Sequence, residues 1–368
     1  MKYIITFLSA FLFFQFSAQA QAFKCGTDQS DAFMEDLIRN KKNWDNTMQK
    51  AQVERFVPVQ FHLIANNDGS GRVDPRTVLK SLCELNENYD SLELRFYLAD
   101  EMNEINNTQI NNNPGGNASA SAMRNAKNNA AMNVFVIDDS GEGVAGFYTQ
   151  GGDYIVVNQN QLLLDRHTTE HEVGHFFTLA HTHRGWEDQP YDPAIHGDTV
   201  LVTTVNSSQS PTIGVELVDG SNCGNLGWNN PLAGDGICDT PPDYGFGQRC
   251  NCCNMGWTVY DRNGDLIEPM LNNVMSYSEN CSPWNFTPQQ VLAVKTSYDS
   301  DRRAYLRVNE VSDYTPLTEG SVIVSPMNLE TIDSYNGVLL EWESVPNAEE
   351  YIITVDGTVA NEYRTSNT

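Results

Sequence analysis

The H-E-x-x-H motif at residues 171–175 constrains the fold more than any other part of the chain, because it predicts a helix with two imidazoles on one face. A helix turns by about 100° per residue, so His175 lies about 40° round the axis from His171 and one turn further along. Apolar residues on the opposite side predict the surface by which this helix packs on a sheet: Val173, Phe176, Phe177 and Ala180. Both imidazoles can therefore reach one ion.

His181 offers a third imidazole only if the helix breaks. On an uninterrupted helix it would point about 120° away from His175 and lie about 9 Å further along the axis. We therefore predict that the helix ends soon after His175 and that the chain turns back towards the ion. Three imidazoles leave a fourth position for water, which is the ligand set of a catalytic zinc site. Glu172 is the expected general base that takes a proton from zinc-bound water.

A second motif lies downstream, at residues 273–277, whose sequence is Asn-Val-Met-Ser-Tyr. It looks like the methionine turn that follows the extended motif H-E-x-x-H-x-x-G-x-x-H in metzincin metallopeptidases. Thr178 stands where that motif has glycine, a departure that matters because glycine eases the turn before the third histidine. Within the metzincins the chain resembles the pappalysin family, including the microbial cytophagalysins, in both motifs and in His181-Thr182, Asp235-Gly236, Asp239-Thr240-Pro241 and Phe286-Thr287-Pro288.

This resemblance covers about residues 57–306 and implies a zinc-dependent endopeptidase acting on proteins or peptides. It implies His171, His175 and His181 as zinc ligands and Glu172 as the base. It further implies that Met275 packs beneath the zinc site and that Tyr277 helps to bind the tetrahedral intermediate. The implied fold is α+β and metzincin-like: a twisted five-stranded mixed sheet, an active-site helix below a cleft, and an irregular, disulfide-linked lower subdomain. Residues 144–149 would be the edge strand that pairs with an extended substrate.

Short segments rich in β-branched and aromatic residues predict five strands, at 56–64, 92–98, 132–137, 144–149 and 154–157. Helices are expected at 74–88, from about 165, and from 287 to about 306, where Thr287, Pro288 and Gln290 form a capping pattern. Residues 103–117, rich in Asn and Gly, are interpreted as a long loop. This order favours a mixed sheet with crossover helices.

The chain begins with a signal-peptide pattern, since residues 1–20 combine a charged start, an apolar run and the small residues Ala18 and Ala20. We therefore expect a secreted, extracellular protein. A pro-segment is expected at 21–55, the metzincin-like catalytic domain at 56–312, and a partial fibronectin type III-like β-sandwich at 319–368. No later stretch is long and apolar enough to span a membrane, so no membrane insertion is expected.

Acidic residues outnumber basic ones 48 to 22, giving a formal net charge of -26. Such a surface repels nucleic acid and anionic lipid, so neither is an expected partner, and we expect a monomer. The charge is compatible with bound calcium, although acidity more often serves solvation. Residues 261–265, Asp-Arg-Asn-Gly-Asp, space oxygen ligands as a calcium loop does, but a hairpin turn on Asn263 and Gly264 is the preferred interpretation.

Eight cysteines in a secreted chain predict disulfides. Three bridges are expected in one loop-rich region that holds six of them, with fifteen possible pairings left open: Cys223, Cys238, Cys250, Cys252, Cys253 and Cys281. Cys83 lies among apolar residues at helical spacing and is expected to be a buried free thiol. Cys25 is then left over.

Residues 25–27, Cys-Gly-Thr, resemble the cysteine-containing pro-segment of the pappalysin family, in which a thiolate can occupy the fourth zinc position. The resemblance implies that Cys25 displaces the catalytic water and silences the enzyme until the segment is cut. Basic residues offer a cutting site: Arg39, Lys41, Lys42, Lys50 and Arg55. A disulfide from Cys25 to Cys83 or to a loop cysteine is the equal alternative.

Two other functions remain open. Zincins that use a downstream glutamate as third ligand share H-E-x-x-H, and some hydrolyse bonds other than internal peptide bonds. An adhesive surface protein with a degenerate zinc fold is motivated by Thr178 and the C-terminal sandwich, although the intact Glu172 argues against it. The resemblance to the pappalysins also implies a preference for basic residues after the cut bond. Glu279, which follows the methionine turn, is the candidate acid that would bind them.

Overall fold

The computed structural model describes residues 25–49, 53–138, 143–163, 166–208, 212–223, 232–249 and 253–308, and beyond these 320–327, 330–331, 338–346, 348, 351–355 and 361–365. The chain divides into two compact units, Met1–Asn309 and Glu310–Thr368. The signal peptide expected at 1–20 lies outside the described residues, and the expected domain boundaries stay predictions.

The first unit is built on a six-stranded sheet of β1 (Arg55–Ala65), β2 (Leu94–Leu98), β3 (Asn103–Asn106), β4 (Met132–Ile137), β5 (Gly146–Thr149) and β6 (Tyr154–Asn158). Strands β2, β1, β4 and β6 lie side by side in this order and run parallel. β3 pairs parallel with the last residues of β1, and β5 pairs antiparallel with β6 at the edge. This mixed sheet, combined with helices, agrees with the predicted α+β class.

The helices of this unit are α1 (Asp31–Lys41), α2 (Trp44–Gln49), α3 (Pro75–Asn88), α4 (Thr108–Asn112), α5 (Asn117–Ala126), α6 (Gln159–Leu163), α7 (Thr168–Phe176), α8 (Pro193–His196) and α9 (Pro288–Asp299). Short 3₁₀ helices occupy Asp90–Leu92, Phe246–Gln248 and Asp301–Arg307, and a small sheet pairs β7 (Thr204–Val205) with β8 (Ile213–Gly214). α9 begins with the predicted capping box of Thr287 and Gln290. It ends earlier than expected, because Ser300 leaves the helical conformation and the 3₁₀ helix continues the chain.

The interpretation of residues 103–117 as a long loop is wrong for most of that stretch, which contains β3, α4 and the start of α5. Pairing with β1 satisfies the backbone of β3. The Asn107 side chain accepts hydrogen bonds from the N–H groups of Gln109 and Ile110, at 3.0 and 3.1 Å, and so begins α4. Asparagine favours helix N-caps as well as loops, and Ile110 is buried beneath this turn. The expected five strands therefore become six.

The main core lies on one face of the sheet, where residues of β1 alternate at the spacing of a strand: Val57, Val59, Phe61 and Leu63. Apolar side chains of α1, α3, α7 and α9 pack against them. The other face buries Phe135 and Val156 under Ile110 of α4 and Met123 of α5. Both faces of the parallel strands are thus covered, which explains why these segments are almost continuously apolar.

The irregular region between α7 and α9 has a second core of aromatic residues that includes Trp186, Tyr244 and Phe246. Two disulfides cross-link it, Cys223–Cys238 and Cys253–Cys281. Cys250 and Cys252, the remaining cysteines of the expected third bridge, lie outside the described residues. A loop-rich region cross-linked by disulfides is therefore observed as predicted.

Cys83 is free but exposed, so the expectation of a buried thiol is wrong. Leu82 and Leu85 occupy the buried face of α3. A helix turns by about 100° per residue, which carries the side chain after Leu82 towards solvent.

Residues 261–265 form the preferred hairpin turn. The Asp261 carboxylate accepts N–H groups of Asn263 and Asp265 on Oδ1, at 2.8 and 3.0 Å, and that of Val218 on Oδ2, at 3.1 Å. Gly264 has a φ of 87°, the left-handed conformation that such turns require. Backbone donors thus use the oxygens that a calcium loop would turn to the ion.

Arg303 ties the end of this unit to β5 and α7. Its fully buried guanidinium donates to Asp153 Oδ1 at 2.5 Å and to Tyr148 Oη at 3.1 Å, and it also reaches the carbonyl oxygen of Phe176. A buried charge with a carboxylate and several acceptors is held in one geometry. The 3₁₀ helix Asp301–Arg307 is therefore fixed against the edge strand.

The second unit contains two antiparallel pairs among its described residues: β9 (Ile323–Ser325) with β10 (Glu341–Trp342), and β11 (Tyr351–Val355) with β12 (Asn361–Thr365). The rings of Trp342 and Tyr351 lie 5.8 Å apart. The partial β-sandwich stays a prediction. Of the helices that the structure describes, none combines the length and the apolar character needed to cross a membrane.

Candidate metal centre

Helix α7 brings His171 and His175 together as the motif predicts. Their Nε2 atoms lie 3.1 Å apart, and both side chains are fully buried. His171 Nδ1 lies 2.8 Å from the carbonyl oxygen of Val274, and His175 Nδ1 lies 2.7 Å from that of Leu179. Because a carbonyl oxygen only accepts hydrogen bonds, Nδ1 carries the proton in each ring and Nε2 is left as a free electron-pair donor.

The helix ends where the third histidine requires. α7 stops at Phe176, and Thr178 then adopts a φ of 74°. A β-branched residue rarely takes this left-handed conformation, so Thr178 makes with strain the turn that glycine makes easily. Its hydroxyl is buried and has no hydrogen-bond partner within the described part of the chain. The turn places His181 Nε2 3.2 Å from His175 Nε2.

Two further residues hold the His181 ring, and neither was singled out from the sequence. His181 Nδ1 lies 3.2 Å from a carboxylate oxygen of Glu187. The Gln29 side chain contacts the same Nδ1 and accepts the backbone N–H of His181 at 2.7 Å. A carboxylate on the far nitrogen of a metal-binding imidazole fixes the ring's tautomer and orientation.

Cys25 adds a sulfur to the three nitrogens. Its Sγ lies 3.4 Å from His175 Nε2, and the four donor atoms of Cys25, His171, His175 and His181 all lie within 4.8 Å of one another. All four residues are buried. The structure therefore brings together every residue that the sequence proposes as a ligand, including the one proposed for the latent form.

This donor set fits zinc. Tetrahedral zinc, with bonds of about 2.0–2.1 Å to nitrogen and about 2.3 Å to sulfur, separates nitrogen donors by roughly 3.3 Å and nitrogen from sulfur by roughly 3.6 Å. The separations of His175 Nε2 from the other three donor atoms, 3.1, 3.2 and 3.4 Å, are close to these values. Burial lowers the pKa of His175 to about 3 and those of His171 and His181 well below their usual value, which keeps the imidazoles in the neutral, metal-binding form.

Glu172 lies beside the four donors and is fully buried. One of its carboxylate oxygens accepts a hydrogen bond from Thr27 Oγ1 at 2.8 Å. The other, Oε1, has no hydrogen-bond partner among the residues that the structure describes. Burial raises the pKa of Glu172 to about 8. A carboxyl with such a pKa can both accept and release a proton near neutral pH.

Met275 supports the helix that carries the two histidines. A Cβ placed on Gly174 would lie 2.3 Å from Met275 Sδ, so the absence of a side chain at Gly174 lets the methionine pack directly on α7. The Met275 carbonyl oxygen accepts the N–H of Thr182 at 3.3 Å, which ties the methionine turn to the segment after the third histidine. Met275 thus packs directly on the helix that carries His171 and His175, close to the place expected for it beneath the site.

Tyr277 lies against the histidine rings, with its centroid 4.6 Å from that of His181. Its hydroxyl bonds to Cys25 on both sides, accepting the backbone N–H at 3.2 Å and donating to the carbonyl oxygen at 3.3 Å. The phenol is thus positioned beside the donor cluster, where it contacts an extended backbone. Its expected role towards an intermediate stays a prediction.

The N-terminal segment, residues 25–49, follows the edge strand and then enters the main core. Cys25 forms a parallel bridge with Gly146 of β5, and Tyr148 donates its N–H to Thr27 Oγ1 at 2.8 Å. Phe33, Met34 and Leu37 of α1 are buried in the main core, and Phe33 contacts the ring of His175. The segment therefore covers the donor cluster along the strand that the sequence predicts for substrate.

Calcium stays a prediction, and one described place offers suitable oxygens. Glu216 and Asp235 are both buried, and burial raises the pKa of Asp235 to about 7 and that of Glu216 well above its usual range. The Lys41 ammonium of α1 donates to the neighbouring Gly236 carbonyl oxygen. Burial lowers the pKa of Lys41, and the charges of Asp235 and Glu216 oppose this shift. The Lys41 ammonium therefore interacts with this pair of acids.

Glu279, the candidate pocket acid, is engaged by a cation of the protein itself. Its carboxylate pairs with Arg166, and its side chain is only 12% exposed. An acid already neutralised by an arginine is a poor attractor for a basic substrate side chain. This contact weakens the expected preference for basic residues after the cut bond.

Comparison with known proteins gives no family assignment. No family model and no curated protein matches the chain. Among solved structures it is similar to a mutant of promirolysin from Tannerella forsythia, with 14% sequence identity and a TM-score of 0.49, over 77% of this chain and 97% of that one.

The strained turn at Thr178 can be tested by substitution. We expect Thr178→Gly to have a free energy of unfolding about 1 kcal/mol higher than Thr178→Ala, because both lose the buried hydroxyl but only glycine adopts the left-handed conformation without strain. Urea unfolding with a chelator present measures this difference without the contribution of metal binding. Equal stabilities for the two variants would show that residue 178 does not have a positive φ.

Proposed function

We propose that this chain is a secreted zinc-dependent endopeptidase of the metzincin class, related to the pappalysins and cytophagalysins. One observation carries the proposal: the Nε2 atoms of His171, His175 and His181 converge in a buried site beside the carboxyl of Glu172. Three neutral imidazoles and an adjacent acid are the parts that metal-assisted hydrolysis of an amide needs. The two disulfides suit the oxidising compartment to which a signal peptide leads.

The three histidines would hold the zinc. When bound, zinc lowers the pKa of water and polarises the carbonyl of the substrate. Glu172 accepts a proton from the attacking water and delivers it to the amide nitrogen, so that the C–N bond breaks after the new C–O bond has formed. Tyr277 donates its hydroxyl hydrogen to the carbonyl oxygen as negative charge develops there.

Strand β5 is the proposed binding edge for a protein or peptide substrate. The N-terminal segment already uses this edge, through the bond from Gly26 N–H to the Gly146 carbonyl oxygen at 2.9 Å and the bond from Tyr148 N–H to Thr27 Oγ1. An extended substrate would use the same backbone groups, because adding a strand to a sheet edge depends on the main chain and tolerates varied side chains. This mode suits an endopeptidase.

In the uncleaved chain, we propose, Cys25 keeps the enzyme latent. Its sulfur takes the position among the donors that the catalytic water needs, and zinc favours the thiolate over the thiol. At the same time Tyr277 is hydrogen-bonded to the Cys25 backbone, and Glu172 is hydrogen-bonded to the Thr27 hydroxyl. Lys42 lies in an exposed turn between α1 and α2 and is a suitable place for the activating cut. Among the described residues Cys25 is a free thiol, which does not support the alternative of a disulfide from Cys25.

The alternative functions make different demands on the same site. A zincin with glutamate as third ligand would keep its metal when His181 is changed to Ala, whereas the proposed ligand set would lose it. An adhesive protein with a degenerate site would digest neither casein nor gelatin. The contact of His181 Nε2 with His175 Nε2 favours histidine as the third ligand, and the buried Glu172 favours an enzyme.

Two substitutions distinguish the role of the general base Glu172 from that of the zinc ligand His175. Glu172→Ala should retain zinc and fold but reduce kcat by about 10²–10⁴-fold, because only the proton acceptor is lost. His175→Ala should lose both zinc and activity, since two histidines rarely hold the ion. Casein digestion with and without chelator, together with the zinc content of each protein, checks both. Glu170→Gln is the matched control, because Glu170 lies on the same helix but turns its carboxylate to Asn88. If the activity of Glu172→Ala is within a few-fold of wild type, Glu172 is not the general base.

Latency is tested by the uncleaved protein with Cys25→Ser. This variant should digest casein at least about tenfold faster than uncleaved wild type, because a serine hydroxyl is a far weaker zinc ligand than a thiolate. Cys83→Ser is the control, since that thiol is exposed and free. The proposal fails if uncleaved Cys25→Ser is no more active than the wild type.

A further inference from the structure

At the far end of β5, a carboxylate of the N-terminal segment is bound by two groups from outside that segment. Asp36 Oδ2 accepts a hydrogen bond from Gln150 Nε2 at 2.8 Å and lies 3.2 Å from Nη1 of Arg302. Asp36 is almost fully buried, and its other oxygen pairs with Arg39 of the same helix. The mechanism proposed above uses none of these residues.

Arg302 does not depend on Asp36 for its position. Its Nη2 donates to the carbonyl oxygen of Gln150 at 2.9 Å and lies 3.5 Å from Tyr148 Oη. The next residue, Arg303, is fixed in the buried network with Asp153, so the backbone that carries Arg302 is anchored. If the N-terminal segment is removed, Asp36 leaves while the guanidinium keeps its place, and Nη1 is free to bind another carboxylate.

The direction of pairing places this guanidinium relative to the cut bond. The N-terminal segment runs parallel to β5 at the bridge between Cys25 and Gly146, with the Cys25 sulfur among the metal donors. Antiparallel pairing is the more stable arrangement per residue, so a substrate is expected to run in the opposite direction. It then passes Gln150 before it reaches the metal donors, and the residue that meets Arg302 lies roughly three to five positions upstream of the cut bond at about 3.4 Å per residue.

We propose that Arg302 and Gln150 form a subsite that selects an acidic side chain, Asp or Glu, upstream of the bond that is cut, and that Asp36 fills this subsite in the uncleaved chain. The proposal rests on the proposed endopeptidase function. In a chain with a net charge of -26, a fixed cation at the cleft counteracts the general repulsion of acidic substrates. The carboxylate gains a charge-assisted hydrogen bond from Arg302 and a neutral one from the Gln150 amide.

The test compares matched peptides on the processed enzyme, from which the N-terminal segment has been cut. A peptide library first identifies the cleaved positions, and one good substrate is then made with Asp or Asn at each of the three to five upstream positions. We expect the Asp peptide to exceed the Asn peptide in kcat/KM by about five- to tenfold at one of these positions, as for a partly exposed charged contact. Arg302→Gln should bring this ratio to about one, and Arg302→Lys should retain part of it.

Charge reversal gives a sharper readout. Arg302→Glu should favour Lys over Asp at the same position, whereas Arg249→Glu, which alters an arginine paired with Asp192 in the lower region, should leave the profile unchanged. A zinc content equal to that of wild type shows that a variant is folded. If Arg302→Glu is not folded, Arg302→Gln is used in its place. Cleavage with no preference for Asp, or with a preference that Arg302→Gln retains, overturns the subsite alone. Absence of any chelator-sensitive cleavage by the wild type overturns the endopeptidase function as well.

Discussion

Buried imidazole nitrogens that meet at His175 Nε2 are the constraint on which the rest of this site depends. The carbonyl oxygens of Val274 and Leu179 hold the protons of His171 and His175 on Nδ1, so their Nε2 atoms meet as two electron-pair donors 3.1 Å apart. Such atoms cannot hydrogen-bond to one another, and burying them without a partner is unfavourable. A cation at their centre resolves this conflict. The break at Thr178, the packing of Met275 on Gly174 and the carboxylate of Glu187 all serve to hold the nitrogens in that arrangement.

The N-terminal segment satisfies the same constraint from outside the helix. It brings a sulfur to the donors, a hydroxyl to Glu172 and an amide to His181, and it buries Phe33, Met34 and Leu37 in the main core. For the proposed endopeptidase, a substrate that replaces the segment must compete with all of these contacts. In the proposed latent form, the sulfur of Cys25 occupies the donor cluster, and the other contacts hold the segment in the cleft. Its removal would uncover the metal donors and an apolar surface together.

The parts of this molecule that the sequence predicts are those governed by local geometry. The angle between His171 and His175, the need for a break before His181 and the capping box at Thr287 all follow from helix periodicity or from cap chemistry. The parts that it does not predict depend on contacts between distant segments. β3 forms because the end of β1 offers it an open edge to pair with. The Asn-rich sequence of β3 does not reveal this partner. Gln29 and Glu187 reach His181 only after folding, and no local pattern around either residue marks it as a partner of a histidine ring. Cys83 is exposed and not buried as predicted, because apolar neighbours at helical spacing do not specify which side of the helix a residue between them faces.

X-ray absorption at the zinc edge of the purified, uncleaved protein measures the central claim most directly. We predict about one zinc per chain, with three nitrogen ligands at about 2.0–2.1 Å and one sulfur ligand at about 2.3 Å. A first shell made only of nitrogen and oxygen would show that Cys25 is not a ligand, although the three histidines could still be. If the protein binds no zinc after dialysis against a zinc-containing buffer, the proposed zinc site does not exist.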